Sequence, residues 1–358
     1  MARTKRRRGR KIVVLGALLL LVLVLALWYM LAGRLDVPGP ITPPGPEEPQ
    51  SQPASCPDVQ VVAVPGTWES AVGDDPYNPT ANPASLMLNV TRPLQEQFDP
   101  QRADVYTVPY VAQFSNPVAL PPDGQQSYNN SRSAGTAAVN DFLAGRSAEC
   151  PLTTYILTGF SQGAVIAGDV AAQIGAGNGP VPADRVLGVA LIADGRRDGV
   201  SGIDIGPPVV GVGAELSLGG LRLPGITMTG ERPGGFGVLD DRTFQICAPS
   251  DSICDAPPDA LNPTNWMTAA PRVLEYVNNP IHALYNTFIV DESGTTAPQW
   301  ITAWAARRSS PHRTLRKSDE SRLPAGSVRG HVPVQSTDGC LRARPRVTFV
   351  GPGGDGGK

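Results

Sequence analysis

The segment that most constrains the fold of this chain is Gly159-Phe160-Ser161-Gln162-Gly163. It stands directly after the apolar run Tyr155-Ile156-Leu157-Thr158 and directly before the helix-forming stretch from Ala164 to Ala171. Together these spell strand, sharp turn, helix. Glycine on both sides of the serine suits a nucleophile elbow, where the backbone takes strained angles and leaves no room for neighbouring side chains. Such a turn lifts the serine hydroxyl above the carboxyl end of a sheet and points the N-terminus of the following helix toward it. A bare GxSxG spacing arises by chance in many Gly- and Ser-rich loops, so its weight comes from the strand before it and the helix after it.

A serine nucleophile needs a base, and the base needs an orienting acid. The sequence holds 3 histidines: His282, His312 and His331. The last two lie in a basic, Pro- and Ser-rich tail with no packing pattern, whereas His282 precedes the apolar run Ala283-Leu284-Tyr285. His282 is therefore the candidate base. Asp251 is the candidate acid, in a short loop bracketed by Cys247 and Cys254 after the strand-like Thr243-Phe244-Gln245-Ile246. Taken singly, an aspartate in a loop is a turn former and a histidine an ordinary surface or core residue. The order Ser161, Asp251, His282 is that of α/β hydrolases.

The chain resembles the cutinase family, in particular its membrane-anchored, lipid-directed mycobacterial-type members. The matching segments are Cys56-Pro57-Asp58-Val59, Pro65-Gly66-Thr67-Trp68-Glu69-Ser70, Cys150-Pro151, the Gly159–Gly163 motif, Ile253-Cys254 after Asp251, and His282-Ala283-Leu284-Tyr285. The resemblance covers about residues 55–306. It implies an α/β-hydrolase fold, a three-layer sandwich around a mostly parallel sheet, and a triad of Ser161, Asp251 and His282. It also implies an oxyanion hole formed at Thr67 and by the backbone N–H of Gln162. Many fungal members carry serine where Thr67 stands, and a threonine hydroxyl can make the same hydrogen bond.

The implied chemistry is acyl transfer through an acyl-enzyme, needing no metal or organic cofactor. The resemblance points to acyl esters or thioesters of envelope lipids, with phospholipase A and thioesterase activity. Two alternatives stay open: a cutinase- or acetylxylan-type esterase acting on polyester or carbohydrate, and a non-catalytic envelope-binding protein on a hydrolase fold.

The N-terminus carries Arg3, Lys5, Arg6, Arg7, Arg8, Arg10 and Lys11, then runs uncharged from Ile12 to Ala32. About twenty residues at ~1.5 Å each span the ~30 Å hydrocarbon core of a bilayer. A secretory signal has a shorter apolar region ending in an A-x-A-like site, and Met30 stands where a small residue is wanted. The pattern favours a retained anchor over a cleaved signal. Its basic flank stays in the cytoplasm, and the catalytic domain lies outside, in the cell envelope, within reach of the cell wall. The basic cluster is read as topogenic, so nucleic acid is not an expected partner. The Pro-rich residues 33–55 read as an extended linker.

Five cysteines fit an oxidising compartment. Cys56 and Cys150 each precede a proline and then an apolar strand, and parallel strands entered from one edge would bring them together. Cys247 and Cys254 would close a small loop around Asp251, leaving Cys340 over.

Strands are expected at 59–64, 104–110, 155–158, 186–192 and 243–246, with helices at 85–97, 128–143, 164–174 and 268–276. This alternation predicts a parallel sheet covered on both faces by helices, within one domain over 56–306. Residues 195–241 are rich in Gly and Pro and are expected to form a long structureless segment, either flanking an acyl groove or making a plain surface excursion. Gly211 and Gly213 lack the context of a nucleotide-binding loop. Trp300 and Trp304 read as the core-facing stripe of a closing helix. The basic tail 307–358 reads as disordered and carries no assigned function.

Overall fold

A computed structural model describes residues 18–28, 51–116, 120–258, 260 and 280–310. All of them fall in the first of two compact units, Met1–Ser310 and Pro311–Lys358. The expected helix over 268–276, His312, His331, Cys340 and the tail beyond 310 lie outside the described residues.

Among the described residues, six strands make one parallel sheet in the order β2-β1-β3-β4-β8-β5: β1 (Val59–Val64), β2 (Ala103–Thr107), β3 (Thr154–Phe160), β4 (Val186–Ile192), β5 (Ile203–Ile205) and β8 (Thr243–Ile246). The central strands read as continuous apolar runs because both faces are covered; every residue of β1 is buried. On one face α1 (Leu88–Gln97) and α5 (Ala297–Ser309) pack over Val61, Ile156 and Ile246. On the other, α2 (Tyr128–Glu149) and α3 (Gln162–Gly175) pack over Val62, Leu157 and Leu191. This is the three-layer α/β-hydrolase architecture expected from the sequence.

Strand order fixes where a ligand can sit. The chain leaves β1 toward β2 on one side, while β3 lies on the other, so the ends of β1 and β3 flank a topological switch point. The register pairs Val64 with Gly159 there. Pro65-Gly66-Thr67 and Ser161-Gln162 therefore emerge side by side at the carboxyl end of the sheet.

Two disulfides brace this frame. Cys56 and Cys150 are joined just before β1 and β3, and Cys247 and Cys254 close the loop after β8. Trp304 is buried against Phe244, and Arg308 stacks over Trp304 at 4.5 Å, so the closing helix runs past Ala306 to Ser309.

The expectation of a structureless 195–241 is corrected. The segment adds β5 to the sheet edge, a turn of helix, α4 (Ala214–Ser217), and a hairpin of β6 (Arg222–Leu223) and β7 (Ile226–Thr227). Charge holds it, which is why apolar periodicity failed to reveal it. Asp169 of α3 binds Arg132, Arg196 and Arg232, and Arg232 also reaches Asp194 at 2.6 Å. Glu215 pairs with Arg132 at 3.0 Å and accepts the Tyr128 hydroxyl. Arg197, 2% exposed in its side chain, pairs with Asp204 of β5.

Near the N-terminus, residues 18–28 form a helix whose apolar side chains are exposed, from Leu18 at 57% to Trp28 at 69%. No helix among the described residues is long and apolar enough to cross a membrane. The remaining residues of the expected anchor, 12–17 and 29–32, lie outside the described residues.

Candidate active site

Ser161 sits between β3 and α3 with φ 54° and ψ −121°, a region that costs a non-glycine residue about 1–3 kcal/mol. Crowding explains its flanking glycines. A Cβ on Gly159 would lie 2.3 Å from the Gly163 carbonyl oxygen, and one on Gly163 would lie 2.1 Å from that of Val64. The elbow is tied to the sheet, since the Ser161 N–H donates to the Ile192 carbonyl at 2.9 Å.

The structure brings the three residues singled out in the sequence into one chain of hydrogen bonds. Ser161 Oγ lies 2.9 Å from His282 Nε2. His282 Nδ1 lies 2.9 Å from Asp251 Oδ2 and 3.1 Å from Oδ1. Asp251 is fully buried, and His282 is 31% exposed in its side chain. Serine is presented by strain, histidine by the short helical turn Pro280–Ala283, and aspartate by the disulfide-closed loop after β8.

Other participants went unassigned in the sequence. Tyr285 donates its hydroxyl to Asp251 Oδ2 at 2.8 Å and accepts the Ala248 N–H at 2.9 Å. Burial, with Asp251 beside it, pushes the Tyr285 phenol well above its usual pKa, so it stays a donor. Phe160 stacks on the His282 ring at 5.2 Å. Glu69, 9% exposed, accepts the Leu86 N–H at 2.7 Å, the Gly66 N–H at 2.9 Å and the Ser85 hydroxyl at 3.1 Å. Burial outweighs these three donors and the nearby His282, which pull the other way, and leaves its pKa above the usual carboxylate value. Both Tyr285 and Glu69 lie inside motifs visible in the sequence, Tyr285 three residues after His282 and Glu69 two after Thr67. Nothing in those spacings says which way the side chains turn.

A cavity of about 530 Å³ opens over Ser161 and His282, within the ordinary range for ligand sites. Thr67, Trp68, Leu86, Phe114, Phe160 and Ile253 are among the residues lining it. Gln162 is the first residue of α3, so its N–H belongs to those that a helix leaves without an intrahelical acceptor. Trp68 has φ 64° and is 60% exposed, yet is held by three bonds. Its N–H donates to Ala112, its carbonyl accepts from Asn82, and its indole donates to Gln125 at 2.6 Å. Among the described residues, those lining this cavity include none of 195–241.

Strain at the serine is what separates an α/β serine hydrolase from a chance GxSxG loop, and this chain carries it. Comparison with known proteins extends that class to a family. Residues 55–280 match the family model described as Cutinase. Over 275 residues the chain is 51% identical to a protein named Carboxylesterase Culp6 homolog from Corynebacterium glutamicum, a match covering 75% of this chain and 86% of that one. The chain belongs to the cutinase family, and it is a serine hydrolase of carboxylic esters. Among solved structures, a cutinase-like protein from Cryptococcus sp. is similar at 19% identity, covering 72% of this chain and 98% of that one, with a TM-score of 0.40. The catalytic core of an acetyl xylan esterase from Trichoderma reesei is similar at 16% identity, covering 62% of this chain and 99% of that one, with a TM-score of 0.38.

Proposed function

We propose that this protein hydrolyses acyl esters or thioesters of envelope lipids through an acyl-enzyme on Ser161. The observation that carries the mechanism is the unbroken series Ser161, His282, Asp251. His282 takes the Ser161 proton as Oγ attacks the acyl carbonyl, and Asp251 holds the imidazole and offsets its charge. The N–H groups of Thr67 and Gln162 bind the oxyanion, and His282 returns the proton to the leaving alcohol or thiol. Water then repeats the attack, releasing the acid and restoring Ser161.

The apolar lining by Leu86, Phe114, Phe160 and Ile253 supports an acyl chain over a sugar acetyl group. The 51% identical relative, itself named a carboxylesterase, supports ester cleavage. The test is labelling by a fluorophosphonate, absent in Ser161→Ala, followed by turnover of a panel of phospholipids, long-chain acyl thioesters, cutin-type esters and acetylated xylan. Preference for the last two sinks the lipid reading. Failure to label or turn over any of them leaves an envelope-binding role.

The same reading holds the enzyme at the cytoplasmic membrane by residues 12–32, catalytic domain outward. Support comes from the basic run before Ile12, the absence of charge to Ala32, and the exposed apolar side chains of the helix over 18–28. Protein staying with membranes after a high-salt wash, with its native N-terminus intact, is the expected result; a product starting near Gly33 in the culture fluid overturns it.

A further inference from the structure

The last two peptide units before Thr67 are both held, by buried side chains or by the residue that carries one. The unit joining Pro65 to Gly66 is gripped at each end. Its carbonyl oxygen accepts the Tyr110 hydroxyl at 2.7 Å, and its N–H donates to Glu69 Oε2 at 2.9 Å. The next unit joins Gly66 to Thr67, and its carbonyl accepts the Glu69 backbone N–H at 3.0 Å. In a trans peptide the N–H points opposite to the carbonyl. Fixing the Gly66 carbonyl therefore fixes the direction of the Thr67 N–H.

Tyr110 and Glu69 suit this work. Tyr110 is 2% exposed, and burial keeps its phenol protonated, with a pKa well above the usual value. Its hydroxyl also lies 3.3 Å from the side-chain amide oxygen of Gln162, the residue that follows the nucleophile. Glu69 meets only donors: two N–H groups and one hydroxyl. Burying a carboxylate is costly unless its hydrogen bonds are made, and a loop that merely turned would not call for one. Gly66 is where the grip is needed, because glycine leaves a chain freer to swing than any other residue.

We propose that Glu69 and Tyr110 are positioning residues for the oxyanion hole: their side chains fix the Pro65–Gly66 peptide plane, the Glu69 backbone N–H holds the next one, and the two planes on either side of Gly66 together set the aim of the Thr67 N–H. This rests on the reading of Thr67 as an oxyanion donor. Substrate in its ground state is planar at the carbonyl and makes little demand on the donor, whereas the tetrahedral anion does.

The experiment measures kcat and KM on a soluble p-nitrophenyl ester, affinity for an alkylboronic acid that forms a tetrahedral anion on Ser161, and Tm. The proteins are wild type, Tyr110→Phe, Glu69→Gln, the double variant and Ser161→Ala. Tyr110→Phe is expected to lower kcat about tenfold and Glu69→Gln about a hundredfold, with KM within about twofold. Boronate affinity should fall with kcat, and the double variant should lose less than the product of the single losses because both act on one peptide plane. If Glu69→Gln does not fold, Tyr110→Phe decides alone. Variants that lose Tm but keep kcat and boronate affinity, or that raise KM at constant kcat, overturn the proposal while an inactive Ser161→Ala leaves the triad standing. An active Ser161→Ala overturns the triad and this proposal with it.

Discussion

Tyr285 donates its hydroxyl to the same carboxylate oxygen of Asp251 that lies 2.9 Å from His282 Nδ1. Asp251 is thus held by a phenol as well as by its own loop, where the Ile253 N–H donates to Oδ1 at 3.0 Å. Tyr285→Phe should lower kcat/KM about tenfold, well short of the roughly 10⁴-fold loss expected for Asp251→Asn. It also leaves the buried Ala248 N–H without its acceptor, at about 1–3 kcal/mol of stability. Kinetics on both variants, with thermal melts, check the ranking. Equal losses would mean that the carboxylate is oriented mainly by the phenol.

Strain at Ser161 predicts a split between activity and stability. Ser161→Ala and Ser161→Gly should both lose several orders of magnitude in kcat, while Ser161→Gly should be the more stable by about 1 kcal/mol, because glycine accepts φ 54° at little cost. Denaturant midpoints of the two inactive variants read this directly. An alanine variant as stable as the glycine one removes the case for strain.

Gly163→Ala should not be tolerated. Its Cβ would stand 2.1 Å from the Val64 carbonyl oxygen and 2.4 Å from that of Pro65, both backbone atoms. A loss of about 3 kcal/mol or more is expected, since α3 or the end of β1 must shift. Soluble, fully active Gly163→Ala protein contradicts the close approach of α3 to β1.

Asp169 predicts the acid limit of stability. Burial alone would raise its pKa, but the guanidinium groups of Arg232, Arg132 and Arg196 outweigh it and hold the carboxyl below the usual 3.8. A carboxyl depressed in the folded state contributes stability fully above its unfolded value, near 3.9, and loses it as pH falls through the folded value. Wild-type stability should therefore drop below about pH 4. Asp169→Asn should lose about 3–5 kcal/mol at neutral pH, with three arginines left short of an anion, and should show a shallower acid slope. Chemical denaturation from about pH 2 to 7 tests both; a parallel pair of curves would assign the acid transition to other groups.

Reduction should strike the two disulfides unequally. In the chain-entropy model the Cys56–Cys150 bridge, with a separation of 94 residues, contributes about 4–5 kcal/mol, and Cys247–Cys254, with a separation of 7, about 2.5 kcal/mol. Cys56→Ala/Cys150→Ala should mainly lower Tm. Cys247→Ala/Cys254→Ala should mainly lower kcat, because that loop carries Asp251. A peptide map without reductant should show these two pairs, and Cys340 bridged to any of the four would overturn the framework.

The strand, elbow and helix around Ser161 were legible from local signals alone: a β-branched run, flanking glycines and small helix formers. It also singled out His282 and Asp251, because few residues of the right chemistry were placed after sheet elements. The parallel sheet followed from alternating apolar periods. The features that the sequence hid share a physical cause: polar contacts between residues far apart in the chain leave no period. The 195–241 segment is ordered by Arg196 and Arg232 meeting Asp169, by Arg232 meeting Asp194 and by Glu215 meeting Arg132, and β5, paired with β8, is tied down by Asp204 meeting Arg197. Likewise Glu69 and Tyr110, 41 positions apart by their numbers (110 less 69), meet on one peptide. Apolar burial writes its pattern along the chain, whereas hydrogen bonds and ion pairs depend on direction and distance, which exist only once the chain has folded.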